Sequence, residues 1–490
     1  MQKNKITIEA IDWQPNKNSK IPLYQQIIDY ISKKITSGAW LINDIIPSQR
    51  ELANKFKVNR STIVYALDEL IAYGILETES GSGTKVANNT WSLLYNDNNL
   101  NWKTYINAGE FIENIPTIQI INELEFKDYI RLSTGELAPK LFPLQKFQKI
   151  SSLLTNKITS LNYLGPLGLL ELREELVKHL AKVNIKATTD NILITSGSLQ
   201  ALQLLSIAMI KPNAKVYTET PTYLKSLQLF QSAKINLKGI EMDQEGIKYW
   251  QINKDNNDST FLYTIPDFHN PTGITCSLTR REELLKFAQA NQLAIIEDSA
   301  YTELYIDEQP PPSLKSLDNS NQVLYLGTAS KSLAPGLRVG WIVGPESIIK
   351  RLGDVKMQID YGASSMSQWL MYEFFHSGEY DNHLQNIRQE LKKRRDEILS
   401  FLNENFNKHA SWTIPKGGFY IYIQFNQKIS IETLFKKALH KKILLNPGNI
   451  YDYKDNNAIR VSYVYEDIET LKESLLVILK LIKSEEKQGK

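Results

Sequence analysis

Five short apolar runs set the tightest limit on how this chain can fold: ILIT from residue 192, KVYT from 215, TFLYT from 260, LAIIED from 293 and VLYLGT from 323. Each is followed by turn or helix signals. Short strands that alternate with helical stretches build a largely parallel sheet with helices on its faces, so residues from about 126 onward are expected to form an α/β domain. A chain of 490 residues exceeds one ordinary core, and length alone suggests about two to four domains. No internal repeat has the period of a solenoid.

The first ninety residues follow another pattern. Leu23, Ile27, Ile31 and Ile35 recur every fourth position and predict one helix, stopped at Gly38. After Pro47, Ser48 and Glu51 have the spacing of a capping box, which predicts a short second helix to about Phe56. Asn59 is a cap for a third helix, with Ile63, Ala66, Leu67 and Leu70 on one face and Gly74 at its end. The segments ILETES and TKV around Gly81, Ser82 and Gly83 predict a β-hairpin. Three helices and a hairpin make a winged helix-turn-helix, expected over 20–88. Residues 89–125 are Asn-rich with scattered aromatics and read as a linker, and 126–485 form the larger domain.

In a winged helix-turn-helix the third helix enters the DNA major groove with its N-terminal residues foremost, here Arg60, Ser61 and Thr62. Arginine can grip a guanine edge, and hydroxyls suit phosphates or bases. Arg50 at the start of the second helix is similarly placed, with Ser48 beside it and Gly83 and Thr84 on the wing. The bland alternative is that Arg50 and Arg60 are solvated surface charges. Net charge does not decide this, since 57 basic and 54 acidic residues leave only +3. The stretch IPLYQQIIDYISKKITSGAW, then IPSQRELANKFKVNRSTIVYALDEL and GILETESGSGTKV, resembles the GntR-type winged helix, with PSxR, VxRxT and GxGT in family order. Asn43-Asp44 and Asn59 depart from the common glycine and serine.

The larger domain carries a second set of motifs, in the order GSLQALQLL, ETPTY, HNPTG, EDSAY and TASKSLAPGLR. From about Arg131 to the C-terminus it resembles fold-type I aminotransferases. The resemblance implies pyridoxal 5′-phosphate (PLP) bound as a Schiff base to Lys331, the catalytic candidate, with Asp298 on the pyridine nitrogen and Asn270 and Tyr301 at the ring hydroxyl. ILITSGSLQALQLL also reads independently as strand, glycine turn and helix, which aims the amides of Gly197, Ser198 and Leu199 at an anion. Thr328, Ser330 and Arg338 match the remaining phosphate contacts. Tyr223 matches the ring-stacking aromatic, with plain core packing as its alternative. Arg460 in AIRVSY matches the arginine that holds an α-carboxylate, which points to an amino-acid-like ligand. Tyr163 matches a tyrosine that reaches the phosphate of a neighbouring subunit, so a dimer is implied. No metal site is expected.

A GntR-type reader followed by this domain resembles the MocR-type regulators, a group that includes GABA- and PLP-responsive activators. That implies a head-to-tail homodimer on double-stranded operator DNA with two half-sites, and a response to PLP or an amino-acid-like effector through aldimine chemistry at Lys331. The alternative is a working aminotransferase with an accessory DNA-binding domain. The N-terminus MQKNKITIEAIDWQ lacks the apolar core of a signal peptide and no run approaches the ~18 apolar residues of a membrane span. A cytoplasmic protein that does not use the membrane is therefore expected. The single cysteine, Cys276, cannot form an intrachain disulfide and reads as a small buried hydrophobe.

Overall fold

The computed structural model describes residues 5–8, 11–19, 21–36, 39–40, 42–72, 75–79, 83–87, 115–154, 157–158, 160, 162–253, 260–452, 454 and 456–488. Two compact units emerge: Met1–Tyr129 with Leu439–Lys442, and Ile130–Ala438 with Ile443–Lys490.

The first unit holds helices Leu23–Thr36, Gln49–Phe56 and Arg60–Ala72 and the antiparallel hairpin Leu76–Glu79 with Gly83–Val86. The faces read from the sequence point inward: Ile27, Ile31, Ile35, Ile63, Ala66, Leu67 and Leu70 are all buried. The capping box is formed. Ser48 Oγ accepts from the Glu51 amide at 3.3 Å, and the Ser48 amide donates to the Glu51 carboxylate at 2.7 Å. A cap of this kind contributes about 1 kcal/mol, so Ser48→Ala is expected to lower the unfolding midpoint of this unit by that equivalent, read from the fluorescence of Trp13 and Trp40 in urea.

Residues ahead of position 20 join this core. Ile11 is fully buried, Ile6, Ile8 and Trp13 pack against the cluster, and Trp13 stacks on Tyr30 with centroids 4.6 Å apart. Within the stretch read as a linker, Pro116–Leu124 is a helix that buries Ile118, Ile120, Ile121 and Leu124. Its apolar period is only nine residues long and was submerged in the Asn-rich sequence before it. Gly38, Gly74, Gly81, Ser82 and 88–114 lie outside the described residues.

The second unit is built on an eight-stranded sheet in the order Ile192–Thr195, Gly340–Val343, Val323–Thr328, Ala294–Asp298, Thr260–Thr264, Lys215–Thr220, Asn236–Asp243, Gly246–Ile247. The five strands from Val323–Thr328 to Asn236–Asp243 are mutually parallel. Gly340–Val343 runs antiparallel to both of its neighbours. Strands Ile192–Thr195, Gly340–Val343, Val323–Thr328 and Thr260–Thr264 are buried along their whole length, as expected of a sheet covered on both faces. The 27-residue helix Glu379–Asn405 then leads to a four-stranded antiparallel sheet, Ala410–Trp412, Tyr420–Phe425, Ala458–Ser462 and Asn446–Pro447. This smaller subdomain ends in the helix Ile468–Gln488. Among the described residues no helix is long and apolar enough to cross a membrane.

Candidate functional site

In a parallel sheet, ligands gather where the strands end, because loops and helix N-termini converge there. The candidate residues do the same. Gly197 follows Ile192–Thr195, Lys331 follows Val323–Thr328, Asp298 closes Ala294–Asp298, Asn270 follows Thr260–Thr264, and Tyr223 follows Lys215–Thr220. Arg338 reaches this edge from the opposite direction. It precedes the antiparallel strand Gly340–Val343, whose Gly340 pairs with both Thr195 and Thr328 at the ends of their strands.

Between a helix start and an arginine lies a cradle suited to an anion. Gly197 caps helix Ser198–Ala208 with φ +86°, and a Cβ placed there would meet Arg338 Nη2 at 2.7 Å. The bare glycine therefore keeps open a space bounded by amides and a guanidinium. Arg338 Nη2 donates to the Ser196 carbonyl at 2.9 Å, and Nη1 lies 3.4 Å from Ser330 Oγ. Ser330 Oγ is in turn 3.0 Å from Thr328 Oγ1. The Leu199 side chain is half exposed and contributes only its amide end to this arrangement.

Lys331 lies on the short helix Ala329–Ser332, and its Nζ donates to the Gly135 carbonyl at 2.8 Å. Asp298 is buried and accepts from Tyr263 Oη at 2.7 Å and from the Ala300 amide at 3.1 Å. Burial raises its carboxyl above the usual range, against the pull of Tyr263 and of Lys331. A cationic ring nitrogen facing that carboxylate would relieve the strain, so the pocket suits a pyridinium. The residue types and the cradle between Gly197 and Arg338 together fit PLP.

Tyr263 was not foreseen. Its neighbour across the parallel ladder is Ile296, and Asp298, two residues further on, lies on the same face one level up. Register carries that information, and a sequence alone does not.

Arg460 is 2% exposed and lies in the smaller subdomain's strand Ala458–Ser462. Its Nη1 donates to Asn270 Oδ1 at 2.9 Å and its Nη2 to the Ser133 carbonyl. Its Nε is buried with no hydrogen-bond partner among the described residues. Tyr420 and Tyr451 flank the guanidinium, with ring centroids 3.8 and 5.1 Å away, and Tyr223 lies 6.5 Å from Tyr451, centroid to centroid. Tyr301 Oη is 3.0 Å from Tyr420 Oη. Tyr163, at 80% exposure, lies against Tyr361 on the surface and contacts none of these groups. Cys276 is buried, and burial pushes its thiol up to about 12, so it behaves as an inert apolar group.

On the first unit, Ser48, Arg50, Arg60, Ser61 and Gly83 are exposed, and Thr62 and Thr84 are partly so. Arg60 Nη2 donates to Gln49 Oε1 at 3.2 Å, which adds Gln49 to the surface read from the sequence. The Ser48 hydroxyl is committed to its cap, leaving it a structural role beside any contact with DNA.

Residues 127–475 match the model of aminotransferase class I and II, and residues 23–86 match that of the bacterial regulatory proteins of the gntR family. Among solved structures, the kynurenine aminotransferase of Pyrococcus horikoshii, in complex with PMP and with KYN and KYA as substrate and product, is 32% identical. It aligns with a TM-score of 0.72 over 76% of this chain and 95% of its own. The uncharacterized HTH-type transcriptional regulator YisV of Bacillus subtilis (strain 168) is 45% identical over 94% of this chain and 96% of its own length. The regulator YdfD of the same strain is 44% identical over 95% and 98%. Fold and site thus define an aminotransferase-like domain fused to a winged helix-turn-helix. The chain belongs to the MocR-type regulators.

Proposed function

We propose that this chain is a cytoplasmic, DNA-binding transcription regulator whose larger unit holds PLP on Lys331 and responds to PLP itself or to an amino-acid-like ligand. One observation carries the reading. The same chain exposes Arg50, Arg60 and Ser61 at the start of reader helices and brings Lys331, Asp298, Asn270, Tyr301 and Arg338 to one sheet edge. The relatives YisV and YdfD, described as HTH-type transcriptional regulators, match both parts.

Bound PLP supplies an aldehyde that condenses with amines and a ring that withdraws electrons. The chain's own groups hold it. The Gly197–Leu199 amides, Ser330 and Arg338 take the phosphate, Asp298 holds the ring-nitrogen proton, Asn270 and Tyr301 bind the ring oxygen, and Tyr223 covers a face. Lys331 anchors the group through its amine, and Arg460 orients a carboxylate ligand. Such a ligand shifts DNA binding only if two arrangements of the protein bind it with different affinity. The smaller subdomain, which carries Gly417, Gly418 and Arg460, is the source of that difference in this reading. In a head-to-tail homodimer the exposed Tyr163 would be free to meet the partner subunit, and two readers would reach two half-sites.

A second reading, a working aminotransferase with an accessory reader, draws on the same observation, because Lys331, Asp298 and Arg460 are all in place. Binding to the gene's own upstream DNA separates the two. Arg60→Ala is expected to weaken specific binding by about 1–3 kcal/mol, roughly 5- to 150-fold, and to relax the preference at one base pair. Equal affinity for upstream and scrambled DNA, together with rapid amino-group exchange with keto acids, would establish the aminotransferase reading instead.

A further inference from the structure

We propose that Tyr420 is a positioning residue of the cofactor site: its hydroxyl donates to Tyr301 and fixes where the Tyr301 proton points, while its ring supports the guanidinium of Arg460. The proposal rests on the reading of Lys331 and Tyr301 as cofactor residues. It adds a link between the carboxylate-binding arginine and the ring-oxygen tyrosine.

The register puts Tyr420 there. Tyr422 pairs directly with Arg460 on the antiparallel neighbour, so Tyr420 is the diagonal partner on the same face. Its ring centroid lies 3.8 Å from Arg460 Cζ, and its ring meets that of Tyr301 edge-on at 5.7 Å and 72°. The third side is closed by Gly135, where an added Cβ would run into the Tyr420 hydroxyl and approach Lys331 Nζ at 3.4 Å. The phenol is thus held between Arg460, Tyr301 and the backbone that receives Lys331.

Either hydroxyl can donate across the 3.0 Å separation, but each has one proton. A Tyr301 that donates to the cofactor's ring oxygen has only lone pairs left for Tyr420. The bond between the tyrosines must then run from Tyr420 to Tyr301. Both phenols are buried, at 2% and 4% exposure, so bulk water offers no substitute. Accepting a bond also makes Tyr301 a stronger donor, since chains of hydrogen bonds polarise one another by about 10–30% per bond. Other groups face the pair. Arg460 favours ionised Tyr301, whereas burial, Tyr420 and Tyr223 raise its phenol well above the usual range, so it keeps the proton it donates. Lys331 lies on the Gly135 side, and Tyr451 lies beyond Arg460.

A hydrogen bond to the ring oxygen is strongest while that oxygen is fully anionic, before the neighbouring lysine-linked nitrogen takes up a proton. Weakening it raises the pH midpoint of the cofactor's visible absorbance. Holoprotein is therefore titrated with pH as wild type, Tyr301→Phe, Tyr420→Phe and the double variant. The expected result is an upward shift in Tyr301→Phe and a smaller one of the same sign in Tyr420→Phe, about half a pH unit or roughly threefold in the acid constant. The double variant should move the midpoint no further than Tyr301→Phe. An unchanged midpoint in Tyr420→Phe, or additive shifts in the double variant, overturns the proposal. So does loss of cofactor from Tyr420→Phe where Tyr301→Phe retains it, which would mark a packing role. A wild type with no visible band is a different result and removes the cofactor reading itself.

Discussion

Lys331→Ala is expected to purify folded but without the visible band near ~420 nm that a PLP–lysine linkage gives, and borohydride reduction should add no cofactor mass to it. Lys331 is the amine at the sheet edge, held by the Gly135 carbonyl at 2.8 Å, one residue from Ser330, which Arg338 contacts. Removing it leaves Gly197, Ser330, Arg338 and Asp298 in place, so PLP can still enter noncovalently. The variant therefore separates occupancy of the cradle from attachment. A band that persists in Lys331→Ala would mean that another lysine is attached and that this reading of the site is wrong. Lys356 is the buried alternative within the same unit, its amine lowered to about 8 by burial, and it donates to the Ile194 carbonyl at 3.0 Å.

Arg460→Gln should be nearly as severe for the ligand and mild for the cofactor. The guanidinium is buried, bonded to Asn270 and Ser133 and flanked by two tyrosine rings, with Nε left over. Truncating one partner of a buried, charge-assisted contact typically costs about 2–5 kcal/mol. Amino-acid affinity should thus fall between about thirtyfold and a few thousandfold, measured by the spectral change on titration. An amine without a carboxylate is the control, and its response should barely move. Parallel loss for the amino acid and the simple amine would place the carboxylate elsewhere. Near-ultraviolet circular dichroism checks that Tyr420 and Tyr451 keep their packing.

What the sequence disclosed follows physical range. The capping box of Ser48 and Glu51, the stripe from Ile27 to Ile35 and the five apolar strands depend on residues a few positions apart, and each formed as read. The glycine turn at Gly197 was legible because a strand, a tight turn and a helix follow one another directly. Tyr263 and Tyr420 were not, because their meaning comes from pairing strands distant in sequence, where register decides which side chains share a face. Ile6, Ile8 and Ile11 were passed over since a short extended segment has no helical period, yet they pack into the reader's core. Gly135 was silent for another reason: its small size matters only beside the Tyr420 hydroxyl.

Whether one chain joins a cofactor-dependent sensor to a DNA reader is read out by fluorescence anisotropy on the gene's own upstream duplex. Wild type and Lys331→Ala are compared with and without PLP and a panel of amino acids, at fixed salt, since phosphate contacts make affinity strongly salt-dependent. Wild type is expected to prefer this duplex over a scrambled one and to change its affinity with PLP or with one amino acid, and Lys331→Ala to lose that change while still binding DNA. Identical affinities for wild type and Lys331→Ala under every condition would contradict it, leaving a reader and a cofactor domain that do not communicate.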